Sequence, residues 1–412
     1  MSGARHTESS IPLRRNRDYN LWWSGAAVSQ TGSFIMTVAV PMLILTNNGS
    51  ASQAGLVAGA STIAKFAASF PAGALADRYS RRHLLLLSSL MQLAAVASVL
   101  TATAFHTTHL LHLTAAALVE GAGYALHTAT ELPLLRRIVP APQRRTALGR
   151  EQGRKAAAQL AGPPLGGVLF SWRPWAPFLA TALCFLGVTT AALAIRTPLG
   201  PADQPRQKPP PHLPMGLVDG WCYVRRSAFM RYMVLWFALV NGAFAGLSFL
   251  LVVLCHDRGA SPSAVGAAQA IGSTGAVLGA LASTSLTAHL HQHRLRKLAS
   301  GMLVFGSVAM TVPTLPAQLT GVAYGVALFL TPAVNVSFMN HMVQTVPEAL
   351  TGRVSMTMMT AARSLNWLFV MAAGALADWW GPSVPLLALS GLFLLLACAD
   401  LIRREPYGGP GR

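Results

Sequence analysis

Apolar segments of about 20 residues recur along the whole chain, and they restrict its fold more than any other feature. A helix needs about 20 apolar residues to cross a bilayer core of about 30 Å. Twelve such segments lie near residues 21–46, 53–76, 83–105, 110–133, 150–170, 175–195, 231–254, 263–286, 298–315, 319–340, 354–377 and 383–402. The sequence therefore predicts an all-α membrane protein with twelve transmembrane helices.

The composition excludes the common soluble classes of protein. Of the 412 residues, 53% are hydrophobic and only 11% are charged, whereas a soluble domain has about a quarter charged residues. The net charge of +18 would suggest a nucleic-acid partner in a soluble protein. Here the basic residues fall in alternate loops, so we expect no nucleic-acid partner and membrane lipids instead.

The basic residues also predict the orientation of the chain. Only Arg173 and Arg258 fall on one side, while the other side collects the arginine and lysine clusters. Because cytoplasmic loops carry an excess of such residues, this asymmetry predicts a multi-pass protein of the cell membrane. The even number of spans then places both termini in the cytoplasm.

The chain divides into two related halves. We predict a six-helix bundle over residues 1–198, a proline-rich cytoplasmic linker over 199–215, and a second six-helix bundle over 216–412. One offset of 207 residues relates Val139–Pro140 to Val346–Pro347, Gly167 to Gly374, and Trp172 to Trp379. Two pseudo-symmetric repeats around a cavity at mid-membrane are the architecture of secondary transporters.

The loop between the second and third spans carries a charged signature. It includes Gly73, Asp77, Arg78, Arg81 and Arg82. This pattern resembles the loop signature of the major facilitator superfamily, although Ser80 stands where that family has glycine. The resemblance implies a conformational latch in which the aspartate holds the second span to the eleventh, with Arg353 before the eleventh span. The alternative is a solvated turn that only obeys the charge asymmetry.

The fifth span carries a second motif. Gly162, Pro163, Gly166 and Gly167 resemble the end of the antiporter motif of exporting facilitators, and Gly149 falls at its distant first glycine. Small residues allow close helix approach and prolines bend the helix, so this span is a candidate hinge. The alternative is that both residue types are common in membrane helices.

Two further segments indicate a branch of the family. Ser29–Ser33 in the first span and Thr351–Ser355 before the eleventh resemble the drug-efflux branch that contains macrolide and enterobactin exporters. The resemblance extends from about Asn16 to Arg404. One departure is that Ala117 stands where proton-driven exporters have an arginine, four residues before Gly121.

The predicted function is therefore secondary active export of an amphipathic small molecule by alternating access, coupled to protons, in a monomer without cofactors. The alternatives are nutrient uptake, a membrane-embedded enzyme or a sensor. An enzyme would need clustered acid, base or metal ligands, which the sequence does not show. Candidate polar residues for the substrate cavity are Gln30, Tyr124, Asn241, Asn335 and Asn366; each of them fits helix-to-helix hydrogen bonding as well.

Three charges are predicted at similar depth inside the membrane: Lys65, Glu120 and Arg363. Glu120 lies about 18 Å from the predicted cytoplasmic end of span four. Since unpaired charge is costly there, we expect these residues to pair, with Glu120 taking or releasing a proton as the pairing switches, or else to form a static pair that locks helices. His106, His109 and His112 are expected to be solvated loop residues, with a metal site as the alternative.

Overall fold

The computed structural model describes residues 12–195 and 221–402, and these residues are almost entirely helical, with no strand among them. The helices are α1 (Arg17–Thr46), α2 (Ala51–Arg78), α3 (Arg81–Ala104), α4 (Leu110–Ile138), α5 (Arg144–Trp172), α6 (Ala176–Ala194), α7 (Ala228–Asp257), α8 (Pro262–His289), α9 (Gln292–Met310), α10 (Ala317–Leu328), α11 (Thr331–Thr345), α12 (Glu348–Arg363), α13 (Asn366–Trp380) and α14 (Ser383–Ile402). The predicted linker, 199–215, lies outside the described residues, and so does the side chain of Asp77.

Every predicted span consists mostly of helix, which confirms the all-α class. Among the described residues, α1, α3, α6, α7, α8 and the stretch Ala317–Met342 are long and apolar enough to cross a membrane by composition alone. Helices α4 and α5 are equally long but carry internal charges. Four of these charged residues are buried: Glu120, Glu131, Glu151 and Arg154.

The helices differ from the predicted spans in three places. The tenth span divides between α10 and α11, where Pro332 lies in the first turn of α11 and lacks an N–H for the preceding turn. The eleventh divides between α12 and α13, where the Ser364 hydroxyl donates to the carbonyl of Ala361 at 2.8 Å. The ninth span was predicted to reach residue 315, but α9 ends at Met310, shortly before Pro313.

The described residues form two compact units. Unit 1 comprises 12–36, 60–162 and 173–195, and unit 2 comprises 37–59, 163–172 and 221–402. In unit 1, α3 packs against α4 and α6, and a core of Tyr19, Trp22, Leu85, Leu134 and Leu135 closes the end predicted to face the cytoplasm.

Unit 2 contains the second half together with parts of three helices from the first. In it α8 packs against α10, α7 against α13, and α9 against α14. Residues 37–59 and 163–172 precede the predicted linker in the sequence but belong to this unit. They are the ends of α1, α2 and α5 that are predicted to face outside.

Candidate functional site

Polar residues form a stripe along one face of α4. The stripe consists of Glu120, Tyr124, His127, Thr128 and Glu131, at spacings of four, seven, eight and eleven residues from Glu120. These spacings return to the same side of an α-helix, so the five side chains follow one line along it. Both ends of the stripe carry a carboxylate paired with cations.

The first pair joins α2 to α4. The ammonium of Lys65 lies 3.4 Å from Oε2 of Glu120, and the hydroxyl of Ser61 donates to the same oxygen at 3.0 Å. Lys65 Nζ also lies 4.9 Å from the centre of the Tyr124 ring, where a cation is attracted to the π-face. Gly121 permits this approach, because a Cβ there would meet the carbonyl of Ser61.

Two of the three predicted intramembrane charges are therefore neighbours. The Glu120 side chain is 11% exposed and that of Lys65 is 35% exposed, so the pair has one buried and one accessible partner. Arg363 is an exposed residue at the end of α12 in unit 2.

The other end of the stripe is a four-charge network that the sequence reasoning missed. Arg154 Nη2 lies 3.0 Å from Oε1 of Glu131, and Lys155 Nζ lies 3.1 Å from its Oε2. The same two cations reach Oε1 of Glu151, at 4.0 and 2.7 Å. Two carboxylates and two cations thus neutralise one another between α4 and α5.

Three of the four members of the network, all except Lys155, are buried. The Arg154 side chain is only 1% exposed, and its guanidinium lies 5.5 Å from the centre of the Trp22 ring on α1. Buried ions are tolerated when they are paired and hydrogen-bonded, because the desolvation cost is otherwise not repaid. Removing one member would therefore leave an uncompensated charge.

A small polar cavity of about 20 Å³ adjoins this network. It is lined by Ala26, Ser29, Gln30, Ser33, Tyr124, His127, Thr128, Glu131 and Lys155. A cavity of this volume can hold one water molecule. Buried Gln30 Oε1, Ser33 Oγ and His127 Nδ1 have no hydrogen-bond partner among the described residues.

The predicted cavity residues divide between the two units. Gln30 and Tyr124 line the same polar cavity in unit 1. In unit 2, the Asn241 amide donates to the carbonyl of Phe237 within its own helix at 2.8 Å, and Asn335 is exposed. Oδ1 of Asn366 is buried and lacks a hydrogen-bond partner among the described residues.

The residues of the loop signature lie at the junction of α2 and α3. A Cβ on Gly73 would meet no atom within 4 Å. Arg78 is exposed, Arg81 begins α3, and Arg82 donates to the carbonyl of Leu193 on α6 at 2.6 Å. Arg353 lies in α12 of unit 2.

Ser80, which departs from the family's glycine, has φ −57° and ψ 127°. Any L-residue adopts this conformation, so the turn does not require glycine.

The fifth-span glycines have different surroundings. A Cβ on Gly162 would meet Phe34, and one on Gly167 would meet Pro262 and would lie 3.1 Å from Cα of Ser263. A Cβ on Gly149 would meet nothing within 4 Å. Pro163 and Gly166 are buried within α5. The close approach of α5 to α8 in unit 2 thus depends on Gly167.

Two symmetry-related side chains cap helices in unit 2. Ser171 Oγ accepts a hydrogen bond from the backbone N–H of Ser263 at the start of α8, at 3.0 Å. At the same 207-residue offset, Asp378 Oδ1 accepts from the N–H of Ala51 at the start of α2, at 3.2 Å. Both contacts supply a partner to a helix N-terminus, whose first N–H groups lack partners within the helix.

Asp378 lies at the exposed end of α13, beyond the predicted span. Desolvation raises its pKa, but hydrogen bonds from Ser52, Ser50 and the backbone of Ala51 outweigh that effect. The pKa of Asp378 is therefore below its ordinary value, and the carboxylate is the form that caps α2.

The described residues contain no group of three metal-ligating side chains. In the predicted outer histidine cluster, His112 Nε2 lies 3.1 Å from the Ser98 hydroxyl on α3. The four cysteines are free thiols.

Comparisons with known proteins agree on one family. The model of the Major Facilitator Superfamily matches residues 22–371. The multidrug efflux pump Tap of Mycolicibacterium fortuitum is 25% identical and aligns over 90% of this chain and 92% of its own length. An uncharacterized MFS-type transporter of Bacillus subtilis, YceJ, is 25% identical over 72% of this chain and 73% of its own.

Solved structures show the same fold. The nucleoside transporter NupG superimposes with a TM-score of 0.75 over 95% of this chain and 98% of its own, at 14% identity. A bacterial homologue of the lysosomal transporter Spinster gives a TM-score of 0.74 over 95% of this chain and 99% of its own, at 16% identity.

Proposed function

The chain belongs to the Major Facilitator Superfamily, and from that premise we propose that it exports amphipathic small molecules from the cell in exchange for protons. It is a multi-pass membrane transporter of small molecules rather than an enzyme. The proposed outward direction of transport is supported by the efflux pumps among its relatives, which align over nine-tenths of the chain. The arginine asymmetry supports a cell-membrane orientation with both termini in the cytoplasm.

The observation that carries the proton coupling is the Lys65–Glu120 pair. Charged side chains inside a membrane are rare and mark ion or substrate pathways. When Glu120 is ionised, it accepts from Ser61 and attracts Lys65. When it takes a proton, the attraction to Lys65 disappears and the 35% exposed ammonium is released toward water. This change supplies an acid–base switch without the arginine that Ala117 replaces.

The motif residues supply the moving parts of the proposed exporter. The loop signature, Gly73, Asp77, Arg78, Arg81 and Arg82 together with Arg353, is proposed to latch the cytoplasmic side. The fifth-span residues Gly149, Gly162, Pro163, Gly166 and Gly167 are proposed to form the hinge. Gln30, Tyr124, Asn241, Asn335 and Asn366 are proposed to contact substrate as a monomer alternates between its two states.

The test is the variant Glu120→Gln, which keeps the shape of the side chain and removes its charge. Ethidium, a cationic amphipathic dye, is loaded into proteoliposomes and its movement is followed under an imposed proton gradient. We expect Glu120→Gln to lower the gradient-driven transport rate at least tenfold, which corresponds to about 1.4 kcal/mol or more of activation free energy.

Ser61→Ala serves as the matched control, because it removes one hydrogen bond to Glu120 and leaves the charge pair intact. It should retain most of the driven transport. Gradient-driven movement that survives Glu120→Gln unchanged would contradict the coupling role. Dye movement in the same direction as the protons would contradict export and indicate uptake.

A further inference from the structure

The charged stripe on α4 connects the Lys65–Glu120 pair to the buried network near the predicted cytoplasmic end. Glu120 and Glu131 are eleven residues apart, which is about 16 Å along the helix axis. Tyr124 lies between them: its ring contacts Lys65, and the same residue lines the polar cavity. The two charged sites are therefore joined by polar side chains rather than separated by hydrocarbon.

The polar cavity has the properties of a water site. Its volume of about 20 Å³ suits one molecule, and a buried water needs two to four polar partners. Gln30, Ser33 and His127 line this space, and their buried Oε1, Oγ and Nδ1 atoms lack a hydrogen-bond partner among the described residues. A water held by these atoms would place an exchangeable proton next to the imidazole.

His127 lies among three charged side chains of this network. Glu131 lies one turn further along α4, and Arg154 and Lys155 face both residues from α5. Arg154 and Lys155 also contact Glu151. The two carboxylates already have cation partners, whereas Nδ1 of His127 has no hydrogen-bond partner among the described residues. His127 as a whole is only 7% exposed.

We propose that His127 is the inner proton acceptor of this transporter. The proton leaves the Glu120 carboxyl group, passes along the Tyr124 face through water, and binds Nδ1 of His127. Glu120 regains its negative charge and its pairing with Lys65. The imidazolium is stabilised by Glu131, and its proton then leaves toward the cytoplasmic side past Lys155, whose side chain is 33% exposed.

This inference rests on the proposed proton-coupled export, and the experiment separates the two. Reconstituted wild-type protein is assayed for ethidium movement under a proton gradient, and for ethidium exchange at equal pH on both sides. Exchange needs no net proton transfer. Wild-type protein without gradient-driven movement would contradict the proposed function itself.

The variant His127→Gln keeps a hydrogen-bonding side chain but cannot carry the proton. We expect its gradient-driven transport to fall at least tenfold while dye exchange stays within twofold of wild type. Thr114→Val is the matched control, since Thr114 lies on α4 outside the stripe and the cavity, and its hydroxyl donates to the carbonyl of Leu110; it should retain both activities.

Two results would overturn the proposal. In one, His127→Gln retains gradient-driven transport, so the imidazole carries no proton. In the other, driven transport and exchange fall together, which would mean that His127 serves substrate binding or folding instead. Retained exchange in the variant also demonstrates that the protein is folded.

Discussion

The charged region of α4 and α5 differs sharply from its counterpart in the second half. The positions of Glu120, His127, Glu131, Arg154 and Lys155 correspond, at the 207-residue offset, to Ala327, Val334, Phe338, Ala361 and Ala362. Where Glu131 binds two cations, Phe338 is 1% exposed and packs against Phe237 with ring centres 5.0 Å apart. The repeated scaffold thus carries ionisable chemistry in one half and hydrocarbon packing in the other.

By contrast, the ends of the two halves that are predicted to face outside resemble each other. Gly167 and Gly374 both permit a close backbone approach, and Ser171 and Asp378 both cap a helix N-terminus. What the outer ends share is therefore close helix packing, whereas charge distinguishes the α4–α5 positions from their counterparts.

The largest effect on stability is expected from Arg154→Met. This substitution removes a buried cation and leaves Glu131 and Glu151 to share one lysine. Losing one partner of a buried ion pair costs about 3–5 kcal/mol. Thermal unfolding in detergent, followed by tryptophan fluorescence, should show a clearly lower midpoint. The counterpart substitution Ala361→Met is the control; it removes no charge, and at this partly buried position the added atoms should cost an amount at the lower end of about 1–3 kcal/mol. Equal effects at the two positions would remove the contrast between the halves.

A smaller loss of stability, of similar size in both halves, is expected when Gly167 or Gly374 is replaced. A Cβ at position 374 would lie 2.5 Å from the carbonyl oxygen of Ala51 and 3.0 Å from Cα of Gly55. Gly374→Ala and Gly167→Ala should each cost about 1–3 kcal/mol of stability, because extra atoms force tightly packed backbones apart. Gly149→Ala is the control, since its surroundings are open. A cost at only one of the paired positions would show that the two outer contacts are not equivalent.

The fold could be predicted from the sequence because apolar length and charge asymmetry are local properties. The Lys65–Glu120 pair was predicted from equal depth on neighbouring helices. The α4–α5 network was missed because Glu131 and Glu151 lie near the ends of the predicted spans, where a charge is ordinarily solvated. The spacing of His127 and Glu131 by four residues, on the face of Glu120, was the available signal.

The breaks within the tenth and eleventh spans were harder to predict. Pro332 gives a local signal at the first break, but proline is also tolerated within membrane helices, as Pro133 in α4 shows. At the second break the helix ends where the Ser364 hydroxyl binds the carbonyl of Ala361. Serine forms such bonds within uninterrupted helices too, so residue type alone does not locate the break.

The smallest effect on stability is expected from substitutions at the two helix-capping residues. Ser171 caps with a hydroxyl group and Asp378 with a carboxylate. Because the pKa of Asp378 is lowered in the folded protein, its contribution to stability is present above the unfolded pKa of about 3.9. That contribution is lost as the pH falls through the lower folded value. Asp378→Asn should therefore reduce the unfolding midpoint slightly at pH 7 and pH 5, and the difference from wild type should shrink below about pH 4 and disappear below the folded pKa.

The expected size at neutral pH is less than about 1 kcal/mol, since Asp378 is exposed and solvent screens its charge at the helix terminus. Ser171→Ala provides the comparison, because its hydroxyl does not titrate and its small effect should be the same at every pH. A pH-independent effect of Asp378→Asn would mean that the carboxylate acts as a hydrogen-bond acceptor only. The two outer caps would then be chemically equivalent.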